Sequence, residues 1–267
     1  MARRKRKRKK KSVSMFSLIK RLCRRIIKFF IPQAISSRFG WLWFGTSRLG
    51  VGLGGFFVTF LMIFSVLPVP FSAYMAQKKV EHLIAGDDYK IQYDWISLDK
   101  IAWQMQMAVI ASEDQKFESH FGIDLQAIEI ALQRNAKSKK VRGASTISQQ
   151  TVKNMFLWHG QSWLRKGIEL PLTFVMENTW GKRRILEVYL NIAEFGDGIF
   201  GVEAAAKHFF KKRAKDLTLQ ESALLAASLP NPLVFRVNKP GPTMRKRQAW
   251  IMRQVSALGG RDYLEKL

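Results

Sequence analysis

Cysteine is nearly absent: the 267 residues hold one, Cys23. The chain beyond it therefore has no disulfide, no thiolate zinc site and no thiol nucleophile. Histidine is scarce too, and His82, His120, His159 and His208 show no H-E-x-x-H spacing. Acidic residues are missing before Glu81, whereas 16 of the 45 Lys and Arg lie within residues 1–48. The net charge of +25 is thus mainly an N-terminal property, with 29 basic against 20 acidic residues left for the rest. Such an arm suits nucleic acid, a localisation signal or a membrane-proximal cytoplasmic segment. From Leu49 to Val69 charge of either sign is missing, and Thr59 and Ser65 are the only polar side chains. As a helix that stretch matches a bilayer core of about 30 Å. Soluble core helices rarely run so long without a charge, and a cleaved signal peptide would not carry an n-region of this length. The expectation is a retained single anchor. Residues 1–48 form a basic cytoplasmic arm, 49–69 the transmembrane anchor, and 70–267 lie on the other side.

Met15 to Trp43 mixes basic and apolar residues at helical spacing, as a helix lying on anionic lipid does. The Arg/Lys tract at residues 3–11 reads as disordered. Beyond the anchor nearly every periodic segment reads as helix. Helices are expected over Ile101 to Ser112, Leu125 to Leu132 behind Asp124, and from Ser145 or Thr146 onward. Others are expected over Leu164 to Trp180, Arg184 to Phe195, and Met244 to Leu258 before Gly259 and Gly260. Thr146-x-x-Gln149 and Thr218-x-x-Glu221 have capping-box spacing. Pro171 is expected to kink its helix. Extended structure is hinted at only over Lys90 to Ile96, so the portion after the anchor reads as one all-α domain.

Four blocks carry chemistry. In the first, Glu113 and Asp114 precede Phe117, His120 and Gly122. Glu113 follows an apolar helix, and burial among large apolar groups suits a carboxylate to general base or acid work. An exposed helix-end Glu is the plain alternative. Asp114 reads as an orienting hydrogen-bonding group, and His120 as structural. In the second block Gly143 and Ala144 let backbone approach a ligand. Ser145, Thr146, Gln149, Gln150, Lys153 and Asn154 then supply hydroxyls, amides and a cation where a loop enters a helix. That is an anion cradle in design, although a capped, solvent-facing helix has the same residues. The third is Arg165-Lys166-x-x-Glu169, on one helix face. It is either a surface ion pair or a second active-site carboxylate held beside cations. The fourth joins Ile185, Leu186, Glu187, Tyr189, Leu190 and Asn191 to Gly196, Gly198 and Gly201, which read as close packing.

The runs Glu113-Asp-x-x-Phe-x-x-His-x-Gly, Gly143-x-Ser-Thr-x-x-Gln-Gln-x-x-Lys-Asn, Arg165-Lys-x-x-Glu and Ile185-Leu-Glu-x-Tyr-Leu-Asn occur in order. With the tail Ala226 to Pro232 they resemble the successive motifs of family 51 glycosyltransferases, the peptidoglycan glycosyltransferases, over about residues 85–260. The resemblance implies a lysozyme-like, two-lobed helical domain behind one membrane helix, with one lobe dipping into the membrane. It implies polymerisation of lipid II into glycan strands with release of undecaprenyl pyrophosphate. Glu113 matches the base that deprotonates the acceptor 4-hydroxyl, and Glu169 the second catalytic carboxylate. Lys153 matches a pyrophosphate-binding cation. Asp114, Ser145, Thr146, Gln149, Gln150, Asn154, Arg165 and Lys166 complete the expected substrate-binding set. No cofactor is required by this reading. A divalent cation, Mg or Mn, is expected at most as a helper in neutralising pyrophosphate, with no dedicated metal motif.

The chain ends at Leu267 without a penicillin-binding transpeptidase, so a monofunctional member is expected. Its place is the bacterial inner membrane, single-pass, with the N-terminus cytoplasmic and the catalytic domain periplasmic. Expected partners are lipid II, the nascent glycan strand, membrane lipid, and cell-division or cell-wall synthesis proteins, but no nucleic acid. Two rivals stand beside this. A lysozyme-type lytic enzyme acting on finished glycan would not need the cradle, because glycan carries no pyrophosphate. A membrane-anchored nucleic-acid-binding protein would use the basic arm, whose charge the anchor explains more simply.

Overall fold

The computed structural model describes Arg21 and residues 38–136, 143–160 and 162–267. The tract at residues 3–11 and most of the expected surface helix at 15–43 lie outside the described residues. The chain divides into two units, Met1–Phe60 and Leu61–Leu267.

Helix α1, Arg38–Ile63, is uncharged after Arg48 and almost wholly exposed. Its Gly40–Ile63 portion is long and apolar enough to cross a membrane. The helix starts and stops earlier than the expected span of 49–69. Upstream, Trp41 to Phe44 extend the apolar surface, and the Arg48 guanidinium lies 4.3 Å from the Phe44 ring centre. Downstream, Pro68 and Pro70 cannot continue the helical bonding. The carbonyls there find other donors in the second unit. Trp180 Nε1 donates to the Leu61 carbonyl at 2.8 Å and Arg184 Nη2 to that of Phe64 at 2.9 Å. Arg184 also reaches the Leu67 carbonyl, and the Tyr93 hydroxyl that of Val69. The last residues of the expected anchor are thus bound to the domain, and Leu61 and Val69 are buried.

Helix α2 spans Ala73–Ala85, and α3 spans Trp103–Glu113. Every residue of α3 from Met105 to Ala111 is buried, as expected of a helix that is apolar all round. Helix α4 is Leu125–Ala136, where the Asp124 carboxylate accepts from the Ala127 amide at 2.8 Å. Helix α5 is Ile147–Phe156, α6 Trp163–Thr179 and α7 Lys182–Ile192. Pro171 lies inside α6 without ending it, so Arg165, Lys166 and Glu169 share one continuous helix. Helices α8 (Val202–Phe210), α9 (Leu219–Ser228) and α10 (Pro242–Ala257) follow. In the core α9 packs against α10 and α3, α10 against α3, and α5 against α6 and α7. The domain is helical, as expected.

A small sheet is the addition. Strand β1 (Gln92–Tyr93) runs parallel to β3 (Ile199–Phe200), which pairs antiparallel with β2 (Glu194–Gly196). The helix expected to reach Phe195 stops at Ile192, because the buried Phe195 is taken into β2. The glycines between these strands close the packing. At Gly198, φ is +71° and a Cβ would lie 2.6 Å from the Lys90 carbonyl oxygen. At Gly201, φ is +82° and a Cβ would lie 2.5 Å from the Asn191 carbonyl oxygen. Asn191 in turn bonds the backbone of Ile96 through both amide atoms, at 2.8 Å each. Gly201→Ala is therefore expected to lower stability by about 2 kcal/mol, from left-handed strain plus a displaced carbonyl. A shift of the urea midpoint to lower concentration, without a change in slope, is the measurement.

Candidate functional site

The site begins where α3 stops. Asp114 caps that helix and is buried, with both carboxylate oxygens 2.9 Å from His120 Nε2. Its Oδ2 also accepts from the Ile147 amide at 3.0 Å, the first residue of α5. One carboxylate thereby joins the end of α3 to the start of α5 and uses the positive end of the latter. Asp114, expected in the substrate-binding set, lines the cleft and is bound to His120 and to the start of α5.

Glu113 is the last residue of α3 and faces a cleft of about 1140 Å³. Asp114, Ser145, Thr146, Gln150, Arg247 and Trp250 are among its lining residues. The carboxylate was expected in apolar surroundings and instead sits among polar groups. Gln150 Nε2 donates to its Oε2 at 3.1 Å, and the Tyr189 hydroxyl donates to Gln150 Oε1 at 3.1 Å. Ser112 Oγ and Arg247 Nη2 lie on Oε1 at 3.1 and 3.3 Å. The last turn of α3 faces the cleft mouth, which admits polar neighbours from α5 and α10.

The expected cradle is only partly free. The Thr146 hydroxyl donates to the Gly122 carbonyl at 2.7 Å and accepts from the Gln149 amide at 3.2 Å. Gln149 Oε1 accepts from the Thr146 amide at 3.2 Å, closing a capping box. Thr146 and Gln149 are both buried, and Gln149 does not reach the cleft. The amides of Ile147 and Gln149, expected to be open to an anion, are satisfied by Asp114 and Thr146. Asn154 is buried with its Oδ1 unpartnered, away from the cleft lining. Gly143, Ala144, Ser145, Thr146 and Gln150 are the members of that block that line the cleft.

The third block stands as one charged group. Glu169, 2 % exposed, holds Arg165 Nη1 at 2.6 Å on one oxygen and Lys166 Nζ at 2.5 Å on the other. Lys166 Nζ also donates to Ser145 Oγ at 3.3 Å, which ties this group to the cleft edge. Lys153 senses the same charges. Burial pushes its ammonium below the ordinary lysine range; Glu169 opposes, Arg165 and Lys166 add to the push, and Glu113 opposes. Among the described residues none makes a hydrogen bond or ion pair with that ammonium. Two cations thus pair with one carboxylate, and Lys153 adds a third positive charge that acts on them without contact. No three His, Cys, Asp or Glu come together as metal donors among the described residues.

Arg247 and Trp250 were not singled out in the sequence. They lie with Thr243 at positions four and three apart on α10, so all three share a face that lines the cleft. Helical spacing was the available signal, but the run Arg245, Lys246, Arg247 offers no means of choosing one cation over another.

Behind the cations, His159 stacks on Tyr74 with ring centres 3.6 Å apart, and the Tyr74 hydroxyl donates to Glu194 at 2.7 Å. Burial first, then Lys153, Arg165 and Lys78, push the His159 imidazole down to about 3. The unfolded chain titrates this group near 6.5, so it binds more protons than the folded one between those values. Stability from this group is therefore retained above about pH 6.5 and lost progressively as pH falls toward 3. His159→Phe keeps a ring against Tyr74, and its melting temperature is expected to fall less than that of the unsubstituted protein between pH 7 and pH 4.5, by calorimetry.

The family model described as Transglycosylase matches residues 78–256. The biosynthetic peptidoglycan transglycosylase of Mannheimia succiniciproducens is 61% identical over 214 residues, covering 80% of this chain and 87% of that protein. Its namesake from Haemophilus influenzae is 56% identical over 241 residues, covering 89% and 98%. One from Yersinia pestis is 52% identical over 230 residues, covering 85% and 95%.

Proposed function

The chain belongs to the transglycosylase family, and on that premise we propose that it polymerises lipid II into peptidoglycan glycan strands with release of undecaprenyl pyrophosphate. Glu113 takes the proton of the acceptor sugar's 4-hydroxyl. The freed oxygen bonds to the anomeric carbon of the donor, the bond from that carbon to pyrophosphate breaks, and configuration inverts. Charge then builds on the leaving pyrophosphate, where fixed cations stabilise it most. The observation that carries this reading is a polar-held carboxylate on the cleft together with Arg165 and Lys166, which pair with Glu169 and are tied to the cleft edge through Ser145.

In this reading Lys153, Arg165 and Lys166 receive the pyrophosphate, with Ser145 beside them. Glu169 keeps Arg165 and Lys166 in place and tempers their repulsion. Gln150 positions Glu113, while Asp114, Thr146 and Gln149 hold the helix end on which the cradle stands, and Asn154 supports it from the buried side. A lytic enzyme has no use for such cations, since finished glycan lacks the diphosphate. For a helping Mg or Mn the described residues offer no three-donor cluster, and Glu169 already serves two cations.

The anchor and arm support an inner-membrane protein with a cytoplasmic N-terminus and a periplasmic domain. Apolar side chains outside the anchor fit the same setting: Trp163 is 93% exposed, and Leu164 and Phe174 are exposed beside it. Membrane lipid and the cell-wall synthesis or cell-division machinery are the partners that this location supplies.

The test is polymerisation of labelled lipid II in detergent by the purified protein. Glu113→Gln is expected to lower kcat by ~10²-fold or more with the melting temperature unchanged. A normal rate in that variant would remove Glu113 from its role. Lys153→Ala is expected to lower kcat/KM by about tenfold or more. An effect equal to that of an exposed lysine such as Lys246 would remove the pyrophosphate assignment.

A further inference from the structure

We propose that Arg247 is a positioning residue for the reaction, acting through Glu113 by closing one oxygen of its carboxylate and leaving the other to take the proton. The inference rests on the reading of Glu113 as the base.

A carboxylate offers about four acceptor sites, two on each oxygen. On Glu113, Oε1 receives Ser112 Oγ and Arg247 Nη2, and Oε2 receives Gln150 Nε2 alone. The remaining site is therefore on Oε2. A base whose two oxygens exchange by side-chain rotation meets its substrate proton in a variable geometry. Arg247 on one side and Gln150 on the other remove that freedom.

Several features separate this contact from a surface ion pair. The neighbouring Arg245 and Lys246 are exposed, whereas Arg247 is partly buried and Glu113 is nearly so. Met244 and Ile251, three before and four after Arg247, are buried and share its helix face. The position of Arg247 is thus set by core packing of α10 against α3. Gln115, two residues past the end of α3, donates through Nε2 to Gln254 Oε1 of α10 at 3.3 Å. Finally, Arg247 Nε is buried with no partner among the described residues, so the side chain's printed polar contact is the one its terminal nitrogen makes with Glu113.

The experiment measures kcat and KM for lipid II polymerisation by Arg247→Met and Arg247→Lys. Both are also placed in a Glu113→Asp background, where the shortened carboxylate has already withdrawn from the guanidinium. Arg247→Met is expected to lower kcat by about tenfold or more with KM changed less than about threefold. Arg247→Lys recovers part of kcat, since charge returns without the fork. In the Glu113→Asp background Arg247→Met is expected to add less than about threefold, because interacting residues are not additive. A wild-type kcat in Arg247→Met overturns the proposal. So does a change confined to KM, a lysine variant no better than methionine, or an equal loss in both backgrounds. If Arg247→Met melts early, Arg247→Lys against its own Glu113→Asp double variant decides by the same criterion. Absence of polymerisation by the unsubstituted protein overturns the parent reading of the site instead.

Discussion

The buried carboxylate of Asp114 is the joint on which the site depends. It ends α3, receives His120 and receives the first amide of α5. A buried carboxylate needs such donors, since charge without them is expelled from a protein interior. His120 is fixed in turn, for its own carbonyl accepts Lys182 at 2.7 Å, and Lys182 pairs with Glu177 at 2.8 Å. Glu177 also receives the Ser148 hydroxyl from α5. The polar chain runs from α3 through α5 to the end of α6 and the start of α7. It leaves little freedom for the helix ends that carry Glu113, Gln150 and the cations.

From that joint the charges separate. On the cleft, Glu113 meets one guanidinium and neutral donors. On α6, Glu169 is saturated by two cations one helical turn away, and Lys153 of α5 adds a third charge without a contact of its own. A surplus of positive charge inside a partly buried region is unfavourable for folding alone. Its natural complement is an anionic group, and the diphosphate of the proposed substrate has that sign.

Much of the local structure is legible in the residue order. Thr146 with Gln149 and Thr218 with Glu221 form the two capping boxes their spacing describes, because a cap is a contact across three residues. The same locality misleads about chemistry. Thr146 and Gln149 have donor groups suited to an anion, yet each is taken by the other, and Asp114 takes the adjacent amide. The strands at Glu194–Gly196 and Ile199–Phe200 escape a periodic reading because each is two or three residues long and buried on all sides. The anchor is legible as a long uncharged run, whereas its boundaries follow from carbonyls of residues 61–69 finding donors on Trp180, Arg184 and Tyr93.

By itself the sequence determined the helical class and a segment long and apolar enough to span a membrane, and it singled out the carboxylate at 113 and the cations at 153, 165 and 166 as candidates. Each follows from residue type and spacing within one or two turns. Tertiary structure alone decided which of these groups remain free. It brought Arg247 and Trp250 from α10 to the same cleft as Glu113, across 134 positions of chain in the case of Arg247. It also enclosed Glu169 between two cations while leaving Lys153 without a partner among the described residues. The reason is physical. A hydrogen bond or ion pair is a matter of distance in space, and the packing of α10 on α3 that sets those distances is the outcome of burying side chains far apart in the chain.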